Sequence, residues 1–225
     1  MSAMQDRTEH TRRLVVMAML VAIAFVLAFV FHFVPAIGGN FLKYDPKSTV
    51  IAIGGFLYGP LAALVMSVAV ALLELLTVSD TGLIGLVMNV LTTAGFACIA
   101  SLVYTKRRTL AGAVTGLTLA VIGTTGLMLL WNYLITPLYM HVDRAVVAGM
   151  LLPIFLPFNL IQGVANLALT LMLYNPLTTA LRAAHLLPAS SGTPKSRRVT
   201  LWVTLVGAFL LLSAVLVVLA WNGVL

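Results

Sequence analysis

The residues of this chain best suited to recognising a polar molecule lie in one stretch, Trp131-Asn132-Tyr133-Leu134-Ile135-Thr136-Pro137-Leu138-Tyr139-Met140, which closes a long apolar segment. An amide carries donor and acceptor together, and phenols and an indole add flat surface with a polar tip, so the chemistry on offer is non-covalent recognition. A second stretch, Leu156-Pro157-Phe158-Asn159-Leu160-Ile161-Gln162-Gly163, sets Asn159 and Gln162 three apart, on one face of a helix. Two amide-bearing helices that converge would line a polar, aromatic recess.

Bond-making chemistry has little to stand on. His10, His32, His141 and His185 are scattered without metal-ligand spacing, no phosphate-cradling Walker A sequence occurs, and no catalytic constellation or metal site is expected. Cys98 is the single cysteine, which rules out an intramolecular disulfide and marks a small core residue.

The elements that must position the amides are membrane helices. Of 225 residues 61% are hydrophobic and 8% charged, with a mean hydropathy of +1.10, and the apolar runs reach the ~20 residues that a helix needs to cross a bilayer. The fold class read from this is an all-α integral membrane protein. Its net charge of +7 does not indicate nucleic acid, because the cations lie between apolar runs rather than along one stripe.

Taken in order, helix one is expected over about Arg13 to Val34, followed by a loop from Pro35 to Lys47. A short helix two covers about Ser48 to Tyr58 and stops at Gly59-Pro60, which also starts helix three, running to about Val78. Ser79-Asp80-Thr81-Gly82 is a turn, helix four runs from Leu83 to Tyr104, and helix five from Leu110 toward Pro137, read as its terminator. Pro153 and Pro157 predict a broken start to helix six, whose main part begins near Pro157 and ends around Arg182. The domains expected are a six-helix unit over 1–183, a flexible basic linker over 184–200, and a seventh transmembrane helix over 201–225 with little polar content.

Positive charge sets the expected topology. With the N-terminus cytoplasmic, 10 of the 13 Lys and Arg residues fall inside, and Lys43, Lys47 and Arg144 fall outside. The Asn132 end of helix five then opens to the exterior, so a site there captures something from outside the cell.

Three further features have two readings each. Asn132 and Asn159 could be ligand-binding, or a structural amide pair of the kind that averages about 0.6 kcal/mol in membranes. Glu74 could pair with Lys43 or Lys47 or touch a ligand, but its place one turn from Ser79-Asp80 favours interfacial solvation, and Asn89 reads as a packing amide. Ala18 and Ala22 form a small-residue pair four apart on helix one, suited either to packing within this bundle or to docking a separate helix.

The order Asn132-Tyr133, then Pro137-Leu138-Tyr139, then Pro157-Phe158-Asn159 with Gly163 four residues on, together with the Leu42–Asp45 loop and Gly59-Pro60, resembles the S components of energy-coupling factor (ECF) vitamin transporters, the riboflavin branch above all. The resemblance covers residues 12 to about 183. It implies a six-helix S-component bundle in a bacterial plasma membrane, which binds riboflavin as transported ligand and uses no cofactor. It also implies partners: a membrane coupling subunit, docked through Ala18 and Ala22, and two ABC ATPases. Asn132 and Asn159 then bond the flavin ring, with Gln162, Tyr44, Asp45, Lys47 and Trp131 beside it, and Tyr133, Phe155 and Phe158 as further stacking candidates. Two positions depart from the pattern. Gln162 stands where the branch usually has lysine, and Asp45-Pro46-Lys47-Ser48 stands for Asp-Phe-Ser-Asp, so that Lys47 offers a cation from the loop. Another vitamin such as pantothenate is the alternative within the class, and a polytopic membrane enzyme or accessory subunit is the alternative outside it.

Overall fold

A computed structural model describes residues 2–33, 42–79, 81–187 and 197–221. The Asp80 position, residues 34–41 of the expected loop and most of the expected linker therefore lie outside the described residues. Every regular element among the described residues is a helix: α1 (Ser2–His32), α2 (Lys47–Tyr58), α3 (Pro60–Thr77), α4 (Gly82–Lys106), α5 (Leu110–Met140), α6 (Arg144–Met150), a π-helical turn (Leu151–Phe155), α7 (Leu156–Ala183) and α8 (Arg197–Trp221).

The bundle is built around α2. At 12 residues it is far shorter than the ~20 that span a bilayer, yet every residue from Lys47 to Phe56 is buried, and α1, α3, α4 and α7 surround it. A helix apolar on all sides belongs in the interior. Its end is fixed by Gly59, whose φ of 92° suits a residue without Cβ, and Pro60 follows in the first turn of α3, where a missing N–H costs nothing. Close approach of α5 to α7 depends on Gly163, where a Cβ would sit 2.9 Å from Val121 Cγ1.

α1 buries Val16, Leu20, Ala24 and Ala28, one residue per turn, against α2 and α3. Helix five does not stop at Pro137. It runs on to Met140, where His141 takes a left-handed conformation (φ 53°) and donates its N–H to the Pro137 carbonyl. Proline forfeits one hydrogen bond to the preceding turn, and so near the helix end that loss does not unwind the last turn.

The expected break ahead of helix six is instead a widened turn. Neither Pro153 nor Pro157 can donate to the carbonyl four residues back, and the Leu151–Phe155 segment absorbs this with π-helical spacing before α7 proceeds. Among the described residues, six helices are long and apolar enough to cross a membrane. The last, α8, packs on α7 and presents Leu201, Trp202, Leu205, Phe209 and Leu212 outward.

Candidate functional site

The ends of α1, α3 and α5, the starts of α2, α4 and α7, and the segment before α2 enclose a cavity of about 270 Å3 at one end of the bundle. Six of the seven expected ligand-binding residues line it: Tyr44, Asp45, Lys47, Asn132, Asn159 and Gln162.

At its floor lies a buried ion pair. Lys47, only 3% exposed, donates through Nζ to both carboxylate oxygens of Glu74 at 2.9 Å each and also pairs with Asp45. Asn89 Nδ2 donates to Glu74 Oε2 at 2.8 Å. Glu74 is itself 4% exposed, which overturns its expected interfacial solvation: a carboxylate this deep needs a cation, and the first turn of the central helix delivers one. Asn89 is likewise more than a packing amide, since it completes the carboxylate's hydrogen bonding and faces the cavity. The backbone N–H of Lys47 donates to Asp45 Oδ1 at 3.0 Å, satisfying one of the four free donors at the start of α2.

The segment carrying Tyr44 and Asp45 is tied to α7 through Asn166. Tyr44 donates its hydroxyl to Asn166 Oδ1 at 3.2 Å, Thr49 donates to the same oxygen at 3.1 Å, and Asn166 Nδ2 donates to the Asp45 carbonyl at 3.2 Å. Burial first, and the Asp45 carboxylate second, raise the Tyr44 phenol well above its usual range. It therefore remains a donor, and the connection holds. Asn166 belongs to no motif in the sequence, yet it lies seven residues after Asn159 and four after Gln162, the continuation of their helical stripe.

The two asparagines differ in what they have left to offer. Asn132, buried, donates to the Met128 carbonyl at 2.7 Å and accepts from Thr136 at 2.9 Å, so both ends of its amide are engaged within α5. Asn159 donates to the Phe155 carbonyl at 2.8 Å, a carbonyl in the π-turn, while its side-chain oxygen has no partner among the described residues. Gln162 makes no side-chain hydrogen bond to the described residues, and its amide lines the cavity.

The aromatic expectations separate in the same way. Phe158 lines the cavity, and so does Phe31, which meets the Tyr44 ring edge-on at 5.6 Å between centroids. Trp131 does not line it, because its neighbour Asn132 takes the inward face of α5 and a helix turns about 100° per residue. Tyr133 is turned outward beneath the Arg144 guanidinium, 5.5 Å from its ring centroid, and Phe155 is buried in packing. Phe31 carries no signal of its own in the sequence, since any aromatic near the end of an apolar helix reads as lipid-facing.

Near the middle of α1, Ala18 and Ala22 are both exposed, on the side opposite Val16, Leu20 and Ala24. Neither is buried against another described helix.

The model of the ECF transporter substrate-specific component matches residues 12–174. The chain is 30% identical over 181 residues to the riboflavin transporter RibU of Staphylococcus aureus (strain TCH60), covering 77% of this chain and 94% of that protein. A solved S component of a bacterial ECF transporter superimposes with a TM-score of 0.65 at 28% identity, over 77% of this chain and 99% of the other. With its cavity enclosed by a helical bundle of the same fold, and a family match that covers every residue lining that cavity, this chain belongs to the ECF transporter substrate-specific components.

Proposed function

We propose that this protein captures riboflavin from outside the cell and presents it to an ATP-driven coupling module. The observation that carries the reading is the meeting, in one cavity, of the unpartnered Asn159 amide oxygen and the Gln162 amide with Phe31 and Phe158, in a chain similar to a riboflavin transporter. A flavin ring is flat and apolar on its faces and presents both carbonyl and N–H groups along one edge, which suits aromatic walls and amides that both donate and accept. Asn132 shapes the wall, and Lys47, Asp45 and Tyr44 supply a polar floor.

The partners are a membrane coupling subunit and two ABC ATPases, as the family implies. An outward-facing pair of alanines lets another helix come close, and Ala18 and Ala22 are the docking surface in this reading. The cavity lies at the end of the bundle away from Arg7, Arg12 and Arg13, and by the positive-inside rule that end faces out, with the N-terminus cytoplasmic in a bacterial plasma membrane. Residues 1–183 form the binding unit, and α8 is an addition to it.

Titration of riboflavin with the detergent-purified protein, followed by flavin fluorescence, tests the proposal. Saturable quenching is expected. Absence of quenching beside tight binding of another vitamin, pantothenate for instance, overturns the substrate and leaves the fold intact.

A further inference from the structure

Behind the main cavity, where α4, α5 and α7 meet, a recess of about 20 Å3 is lined by Ser48, Thr92, Thr124, Asn159, Gln162 and Asn166 among others. It shares Thr92, Asn159 and Gln162 with the cavity, so those two amides form a partition with a polar space on each side. One water needs about 10–15 Å3 of such space and two or more polar partners. Both conditions are met.

Thr124 is what distinguishes the recess from a packing defect. A threonine in a membrane helix ordinarily donates its hydroxyl to the carbonyl one turn back, as Thr92, Thr118, Thr170 and Thr178 do here at 2.6–2.9 Å. Thr124 Oγ1 does not. It is buried, in a residue only 7% exposed, and has no hydrogen-bond partner among the described residues. Forgoing an available local bond in a low-dielectric interior costs about 1–3 kcal/mol unless something else takes the hydroxyl. Gly163 lines the recess, and a Cβ there would come within 2.9 Å of Val121 Cγ1, another lining residue.

We infer that the recess is a binding site for one ordered water, held by Thr124 Oγ1 and shared with the side-chain amides of Asn159 and Gln162. The water fixes which end of the Gln162 amide points back and which faces the cavity, and holds the Asn159 oxygen in place, and so sets the donor and acceptor pattern offered to the ligand. Asn159 already spends its Nδ2 on the Phe155 carbonyl, so a water donating to its oxygen would hold the remaining lone pair toward the cavity. Gln162 has no side-chain partner among the described residues to orient it, and the water supplies one. Thr124 is in this sense a positioning residue that determines specificity without touching the ligand. The inference rests on the riboflavin reading for its affinity test but not for the water itself.

Two measurements decide it. In a crystal structure of the ligand-free protein at a resolution that shows waters, one molecule should lie within hydrogen-bonding distance of Thr124 Oγ1 and at least one of the two amides. Riboflavin affinity should then fall about two- to tenfold in Thr124→Val, remain near wild type in Thr124→Ser, and be unchanged in Thr125→Val, whose neighbouring buried hydroxyl is also unpartnered but does not line the recess. Rescue by serine separates a hydroxyl that holds water from simple packing. A dry recess, a recess filled by a ligand atom, or equal weakening in Thr124→Val and Thr125→Val overturns the inference. Should Thr124→Val fail to fold, Thr124→Ala takes its place under the same expectation. If the wild-type protein binds no riboflavin, the substrate is wrong, and the water in the ligand-free structure still decides the site.

Discussion

Lys47 Nζ stands 2.9 Å from each carboxylate oxygen of Glu74, a bidentate pair joining the first turn of the central helix to the last turns of α3. Neither residue is more than 4% exposed, so water cannot solvate a partner left alone. Lys47→Met should destabilise the protein by about 3–5 kcal/mol, because it leaves the Glu74 carboxylate buried without its cation. The double variant Lys47→Met with Glu74→Gln should recover much of the loss. Thermal unfolding in detergent checks this, and a double variant as weak as the single one would show that geometry rather than charge fails.

Asn159 and Asn132 should not contribute equally to ligand binding. Asn159→Ala removes an amide oxygen available to the cavity and is expected to weaken riboflavin binding by about 1–3 kcal/mol. Asn132→Ala should cost less affinity and more stability, since its amide is spent on Met128 and Thr136. Trp131→Phe should leave affinity unchanged. Fluorescence titration of the three variants gives the order, and a larger loss for Asn132 would mean that its amide turns to the ligand on binding. Gln162→Lys reads the same wall from the other side, with tighter flavin binding expected if the position faces the ring.

Asn166 is expected to matter more to the segment before α2 than any residue within it. Tyr44→Phe removes one hydroxyl and keeps the ring contact with Phe31, a loss of about 1 kcal/mol. Asn166→Ala unties Tyr44, Thr49 and the Asp45 carbonyl together, and roughly two to three times that cost is expected. Denaturant titrations of the two variants measure the ratio, and equal effects would place the anchor elsewhere.

Removal of everything after Leu187 should leave riboflavin affinity intact. α8 packs on the bundle through α7, with Gly207 close against Met172, and contributes no cavity residue. Loss of binding in a truncated protein that keeps its helical content would show that α8 holds α7 in the binding geometry.

Ala18→Trp together with Ala22→Trp should preserve riboflavin binding by the solitary protein and abolish uptake in cells supplying the coupling subunit and ATPases. Both positions face away from this bundle, so the large rings meet lipid in isolation and obstruct only an approaching helix. Normal transport by a folded double variant would remove the alanines from the docking surface.

The sequence by itself determined the class and the positions of the spanning helices, because the hydrocarbon core demands long apolar runs and leaves only helices and closed barrels to satisfy the backbone. It also picked out three amides of the cavity wall, Asn132, Asn159 and Gln162, since amides inside apolar segments are costly unless they face a shared interior. What it could not decide was which groups meet. Glu74 reads as interfacial by its distance from a turn, and only the burial of α2 brings Lys47 against it. Trp131 and Asn132 are adjacent in sequence and equally attractive as ligand residues, but the rotation of α5 turns one inward and the other away. Asn166 and Thr124 draw little notice as small polar residues in apolar helices, and their roles follow from three helices converging on one point. Composition and spacing act along the chain, whereas burial, pairing and the facing of a helix are set by its neighbours, and those come from the packed structure alone.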